Sequence, residues 1–421
     1  MTAGRLGDLL SLGHRTRGAV SDIMRYIGPG LVVTVGFIDP GNWAANVAAG
    51  AGYGYTLLWM VTLSTVMLIL LQHNAAHLGI VTGDCLAEAA VRHLSPWLAR
   101  PLLFSAFLAS GATAMAELLG AAIALRMLFG LPLRVGTLLT LALVLWLLFG
   151  TAYRRLERTI IGFVSLIGFA FVFELWLTHT DWGSAAVGWV VPAIPGGALP
   201  VVMSVLGAVV MPHNLFLHSE IIQSRQWQLA GEEVIASRLK FEFLDTLLSM
   251  GIGWAINSAM ILVAAATFWE RRIPVTDLSQ AKEMLRPLLG PGASLVFAAA
   301  LLLAGVASSI TAAMSGGSIV AGMFSEPYNS GDPHTRFGIA ATLAAGAGAV
   351  FLVTDPFRGL ILSQILLSVQ LPWTILLQLR LTSSGRVMGR HANRGFEAFL
   401  LWATAATVVV LNIMLLRDML R

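Results

Sequence analysis

The sequence predicts an all-α integral membrane protein of about eleven transmembrane helices, arranged as two inverted five-helix repeats plus one extra helix, with the first and sixth helices broken. Three observations lead there. Of 421 residues, 57% are hydrophobic and only 11% are Asp, Glu, Lys or Arg, whereas a soluble globular chain carries roughly 25% charged residues. Apolar runs near the ~20 residues needed to cross the hydrocarbon recur from one end of the chain to the other. Two of these runs carry a proline at their middle, in matching positions of the two halves.

The spans are expected at Ile27–Gly50, Gly54–Ile80, Pro101–Phe129, Arg134–Tyr153, Thr159–Thr178, Leu199–Gln223, Leu244–Trp269, Gly292–Phe324, Phe337–Thr354, Phe357–Leu381 and Phe396–Leu416. Residues 1–25 then form a polar, basic leading segment with no secretory signal pattern, 26–178 the first repeat, 197–383 the second and 396–416 the appended helix. No connecting loop is long enough for a separate soluble domain. An odd number of spans puts the termini on opposite sides. The segments sharing a side with the N-terminus hold 17 of the 26 basic residues, among them Arg154, Arg155, Arg158, Arg386, Arg390 and Arg394. The positive-inside rule therefore predicts a cytoplasmic N-terminus and an external C-terminus in the cell membrane. The net charge of +4 reflects this topology and implies no nucleic-acid partner. A single cysteine, Cys85, excludes a disulfide framework or thiolate cluster within one chain.

The first break reads Gly36-Phe-Ile-Asp39-Pro40-Gly41-Asn42 and the sixth span reads Ala208-Val-Val-Met211-Pro212-His213-Asn214. Aligned on their prolines, both follow x-Pro-x-Asn. Proline has no N–H for the carbonyl four residues earlier and its ring opposes that carbonyl, so Pro40 frees Gly36 and Pro212 frees Ala208. A free carbonyl facing lipid costs several kcal/mol, so both breaks belong in protein or in a wet cavity. A cation there would accept both oxygens. Asp39 adds one anionic oxygen, Asn42 a neutral one and Met211 a thioether sulfur. Oxygen ligands alone suit magnesium or calcium, and a sulfur shifts preference towards softer transition metals. Manganese or ferrous iron is the expected cargo, with cadmium also accepted, and no resident cofactor is implied. His213 and His218, just beyond the second break, are either satisfied by neighbouring hydroxyls or carbonyls or have a functional role.

Enzymatic readings find no support. A zinc metalloprotease needs a pattern such as H-E-x-x-H, but His213 and His218 are five apart with no intervening acid, and Asp39 has no evident second aspartate for an aspartyl protease. A magnesium carrier and a symporter of an organic solute share the broken helices. Met211 argues against the first, and a thioether beside an aspartate is an odd site for the second.

The segments GFIDPGNWAANVAAG and GAVVMPHNLFLHS resemble the two hallmark motifs of the Nramp family of proton-coupled divalent metal transporters. GYTLLW, LGIVTG, AELLGAAIAL, LLLAGVASS and LSQILLSVQLPW follow in the expected order, so the resemblance covers nearly the whole chain. It implies a LeuT-like fold that alternates between outward and inward openings. It also implies that Asp39, Asn42, Met211 and the carbonyls of Gly36 and Ala208 bind the metal, with Gln364 joining in some states. In the family the third helix usually carries an acidic pair, as in A-T-D-L-A-E, that helps conduct protons. Here the segment is Ala112-Thr113-Ala114-Met115-Ala116-Glu117, and the adjacent arginines usual near the ninth helix reduce to Arg336. Glu117, His213 and His218 remain as the expected proton pathway. Weak or absent proton coupling is the corresponding expectation.

Overall fold

The computed structural model describes residues 39–149, 168–224, 226, 229 and 232–420. All regular structure among them is helical. The principal helices are α1 (Pro40–Tyr53), α2 (Leu58–Thr82), α3 (Leu86–His93), α4 (Pro96–Phe129), α5 (Leu133–Phe149), α6 (Trp182–Val190), α7 (Leu199–Val209), α8 (Pro212–Gln223), α9 (Glu232–Ala264), α10 (Ala293–Met323), α11 (Pro333–Leu352), α12 (Pro356–Thr382) and α13 (Gly395–Met419). Eight described helical stretches are long and apolar enough to cross a membrane, the broken pair α7–α8 counting as one, and α5 is a shorter apolar helix. The part of the first span before Asp39, including Gly36, lies outside the described residues, as does most of the fifth span, of which residues 168–174 are helical.

Most helix ends fall within a few residues of the expected spans. The exception is α9, which starts at Glu232 rather than Leu244 and runs on into a π-helical turn, Ala265–Trp269. A hydropathy window measures how much helix sits in lipid, and the charged first turns of a helix escape it. Short helices also occupy the connections. In α3 the Cys85 side chain caps the helix by accepting from the Glu88 N–H, and Glu88 reaches back to the Cys85 N–H.

The bundle is organised around α4 and α10, with α11 and α5 outside them; α2 packs on α9 and α8, and α7 lies against α12 and α1. One apolar cluster joins α1, α4, α9 and α10. In it, the Trp43 ring meets Phe171 edge-on at 5.8 Å and Phe297 at 5.1 Å. Large apolar side chains such as Leu139 and Trp146 on α5, Leu362 and Trp373 on α12 and Ile413 on α13 are exposed on the outside, as a lipid-facing surface requires. Buried polar groups are tied between helices. Asn46 on α1 donates to Asn257 on α9 at 3.0 Å, and Gln378 on α12 donates to the Leu71 carbonyl on α2 at 2.6 Å.

The closest helix contact is made possible by Gly207 on α7, where an added Cβ would lie 1.8 Å from the Gln364 carbonyl oxygen of α12. That neighbour is backbone and has no rotamer with which to retreat. Gly207→Ala should therefore destabilise the detergent-solubilised protein by about 1–3 kcal/mol through overpacking. By contrast, Gly251→Ala on α9, where nothing lies within 4 Å, should leave stability equal or raise it by up to about 1 kcal/mol through helix propensity. Thermal unfolding of the two variants side by side checks this, and equal midpoints would show that α12 is not held against α7.

Candidate functional site

Both breaks are built by local chemistry. At the first, Asp39 is the N-cap of α1 with extended backbone (φ −109°, ψ 160°), and its Oδ1 accepts from the Asn42 N–H at 2.7 Å. Pro40 follows at the first helical position, where its missing N–H costs nothing. At the second, α7 ends at Val209, Val210 (φ −100°, ψ 71°) and Met211 (φ −70°, ψ 112°) leave the helical region, and α8 starts at Pro212. Pro212 has no N–H to offer the Ala208 carbonyl.

The positions named in the sequence are all buried: Asp39, Asn42, Ala208, Met211, His213, His218, Glu117 and Gln364. Asp39 Oδ1 is used in capping, but Oδ2 is enclosed and has no hydrogen-bond partner among the described residues. Gln364 Oε1 is likewise enclosed and unpartnered, while its Nε2 donates to Ser363 at 3.1 Å. Orphaned buried oxygens of this kind are costly in hydrocarbon unless something fills them. Among the described residues no three His, Cys, Asp or Glu side chains cluster as a metal cage. The polar groups buried at and beside the breaks are instead the Asp39 carboxylate, the Asn42 and Gln364 amides and the Met211 thioether.

Helix α12 brings the two breaks together. The Gln364 amide lies over Gly41, where an added Cβ would be 2.0 Å from Nε2 and 3.2 Å from Asp39 Oδ1, and the Gln364 backbone abuts Gly207 just before Ala208. One turn along α12, Leu367 packs with Ala109 against the Met211 side chain. The Met211 sulfur accepts from Asn214 Nδ2 at 3.3 Å. Asn42 is turned along its own helix, where its Oδ1 accepts from Asn46 at 3.0 Å.

Helix α4 supplies the opposite wall through a single stripe. Ala109 shares an apolar cluster with Met211, Thr113 Oγ1 is 3.1 Å from His213 Nδ1, the Glu117 carboxyl is an electrostatic neighbour of Asp39, and Gly120 abuts Pro40. These residues recur at helical spacing, so they line one face. Both Glu117 carboxyl oxygens lack a partner among the described residues. The His213 carbonyl accepts from Ser315 Oγ of α10 at 2.7 Å. Thr113 and Gly120 were not singled out from sequence, although their spacing from Glu117 was there to read.

Ala114 points elsewhere. It lies in an apolar cluster with Val144, Leu147, Val306, Ile310 and Leu343, and Gly346 of α11 packs against its backbone. Arg336, at the other end of α11's first turns, sits 4.9 Å over the Phe149 ring. His218 is also separated from the stripe. Five residues rotate it about 140° around α8 from His213, and its partners are Gln72 at 3.3 Å and Glu242 at 3.4 Å.

Comparison with known proteins defines the class. A profile described as "Natural resistance-associated macrophage protein-like" (Nramp) matches residues 30–418, and the chain belongs to this family of divalent metal transporters. It is 37% identical over 403 residues to the divalent metal cation transporter MntH of Nostoc sp., covering 94% of this chain and 91% of that one. It is 36% identical to the MntH of Brucella suis over 420 residues, covering 96% and 90%. Among solved structures, the manganese transporter of Eremococcus coleocola superposes with a TM-score of 0.79 at 29% identity over 93% of this chain and 86% of that one. Mhp1, a nucleobase-cation-symport-1 family transporter, shares the fold at a TM-score of 0.61 and 16% identity, covering 93% and 92%. The fold is thus the LeuT-like, multi-pass membrane architecture.

Among the described residues at the breaks themselves, Asp39 carries the one carboxylate with an unpartnered oxygen. Asp39→Asn keeps the cap's oxygen acceptor and the side-chain size but removes the charge facing a divalent ion in a poorly solvated site. Metal uptake should fall to background in vesicles, with the variant still inserted and monodisperse. Substantial manganese or cadmium flux through such a protein would exclude Asp39 as a ligand.

Proposed function

We propose that this divalent metal transporter imports manganese and ferrous iron, and also accepts cadmium, by alternating access across the cell membrane, with the N-terminus cytoplasmic and the C-terminus external. The metal is held by the Asp39 carboxylate, the Asn42 and Gln364 amides, the Met211 thioether and the carbonyls of Ala208 and Gly36. The observation that carries this reading is the meeting of both breaks on one turn of α12, Gln364 over Gly41 and Leu367 clustered with Met211, together with the unpartnered buried oxygens of Asp39 and Gln364. The relatives named for divalent metal and manganese transport support the cargo. Asn42 and Met211 each turn to a neighbour within one helical turn, so binding metal exchanges Asn46 and Asn214 for the ion.

Proton coupling through α4 is weak on this reading. Glu117 and His213 carry what movement there is along the stripe, because Ala114 and its apolar neighbours close the flank towards α11. The protein has no catalytic role and needs no resident cofactor.

Met211→Ala removes the one soft ligand and leaves an all-oxygen set. Cadmium and manganese should lose about tenfold or more of their advantage over calcium and magnesium, with fold stability less affected. Competition of calcium and magnesium against cadmium uptake measures it, and unchanged discrimination would remove the sulfur from the site. For coupling, Glu117→Gln in vesicles holding a pH-sensitive dye should leave manganese flux standing and reduce an already small metal-driven acidification. A large acidification at a fixed proton-to-metal ratio in the parent that Glu117→Gln abolishes would show that Ala114 does not interrupt the path.

A further inference from the structure

A second group of buried titratable side chains lies away from the α4 stripe, where α2, α8 and α9 meet. Glu242 of α9 stands at its centre. One carboxylate oxygen is paired with His73 Nδ1 of α2; the other lies 3.4 Å from His218 Nε2 of α8 and accepts from Thr246 Oγ1 at 2.7 Å. His218 Nδ1 is 3.3 Å from Gln72 Nε2. The arrangement is an imidazole, a carboxylate and an imidazole from three different helices. His218 and Glu242 are buried, whereas the His73 side chain is 21% exposed.

The group has an outward branch. His77, one turn along α2, stacks beside His73 with ring centres 6.3 Å apart and faces His391 at 6.2 Å. Both ring nitrogens of His77 are buried without a hydrogen-bond partner among the described residues, which leaves donor and acceptor capacity between His73 and the half-exposed His391. The other charged groups around the cluster are Asp245, one turn along α9, and Glu397 of α13, whose charge acts on His73. Arg238 and Lys240 lie at the start of α9, towards its exposed end.

We propose that His73, Glu242 and His218 form a proton-binding site that exchanges with the aqueous phase at His73 and ties α8 to α2 and α9. This rests on the metal-transport reading above. With both imidazoles neutral the three groups carry one negative charge, and one proton taken from water onto an imidazole nitrogen makes an imidazolium–carboxylate pair with no net charge. The neutral form is the one that low-dielectric surroundings favour. Helix α8 carries Met211 at its start and His218 seven residues on, about 10 Å along the axis, so any displacement of α8 that opens the metal site also works on the His218–Glu242 contact. Proton occupancy and metal occupancy therefore share one moving element.

The test uses the full chain in sealed vesicles with a manganese gradient, reading manganese flux and internal pH together for the parent, Glu242→Gln and His73→Gln. Both substitutions keep hydrogen-bonding capacity and remove the titrating group. The expected result is manganese flux within about threefold of the parent and protons moved per manganese reduced about tenfold in each variant, with the pH dependence of flux flattened. Unchanged acidification in either well-inserted variant overturns the proposal and leaves metal transport standing. A parallel loss of manganese and proton movement in both overturns it too, since that is what a purely structural contact gives. Manganese movement without any acidification in the parent overturns it as well. A parent that moves no manganese removes the transport reading along with this one.

Discussion

Inside hydrocarbon every backbone N–H and C=O must find a partner within the protein, and this constraint governs the chain more than any other. A membrane helix normally meets it alone. The two breaks at Asp39–Pro40 and Met211–Pro212 give that up, so the rest of the bundle has to close around them. It does so by removing side chains. Gly41 admits the Gln364 amide, Gly120 admits the Pro40 ring and Gly207 admits the Gln364 backbone, each at a distance that a Cβ would forbid. A helix-interior glycine costs about 1 kcal/mol relative to alanine, a small amount beside an unsatisfied carbonyl in lipid at several kcal/mol. Close approach at these positions is what makes broken helices affordable.

The same packing explains which polar groups remain unfilled. Capping consumes Asp39 Oδ1, while Asn42 and Met211 find partners a helical turn away. Oδ2 of Asp39 and Oε1 of Gln364 have none among the described residues. A structural site would satisfy them permanently with a fixed neighbour. A transport site has to leave some ligands poised and others only lightly held, because an ion bound by every donor at full strength would not be released. On the proposed ligand set, Asn42 and Met211, each in contact with a neighbour on its own helix, are of the lightly held kind.

Much of this was legible in the sequence, for identifiable reasons. Composition and run length mark lipid-crossing segments because hydrocarbon is an unforgiving solvent, and Pro40 and Pro212 mark the breaks because proline's chemistry is local. Asp39 stands out because charge is scarce in such segments, whereas Glu117 was marked by the family resemblance. Ala114 was visible as a missing acid, but its surroundings were not: the apolar cluster with Val144, Ile310 and Leu343 brings α5, α10 and α11 against α4. His218 was placed with His213 on proximity in sequence, and the helical angle between them sends it to another neighbourhood. Glu242 went unread because its partners His73 and His218 lie 169 and 24 residues away, and no periodicity connects them. The early start of α9 hid it further, since charged turns look like loop to a hydropathy window.

Charge balance sets the limits on how such a site works. A divalent ion beside one carboxylate retains an excess positive charge that low-dielectric surroundings penalise, unless a second anion lies within reach. Glu117 is that neighbour, one α4 turn from Thr113 and His213 and just off the metal ligands. It is near enough to offset the ion's charge and, on the proposed ligand set, does not itself bind the metal. On the proposed ligand set, the departing ion leaves two neighbouring buried carboxyls, and like charges so placed disfavour joint ionisation. A proton on one of them is the economical remedy. On the proposed ligand set, metal release and proton uptake are linked by electrostatics, with Ala114 on the flank away from both carboxyls. How fast those protons reach water depends on a route, and on this argument the strength of coupling in this chain is a question of access more than of charge.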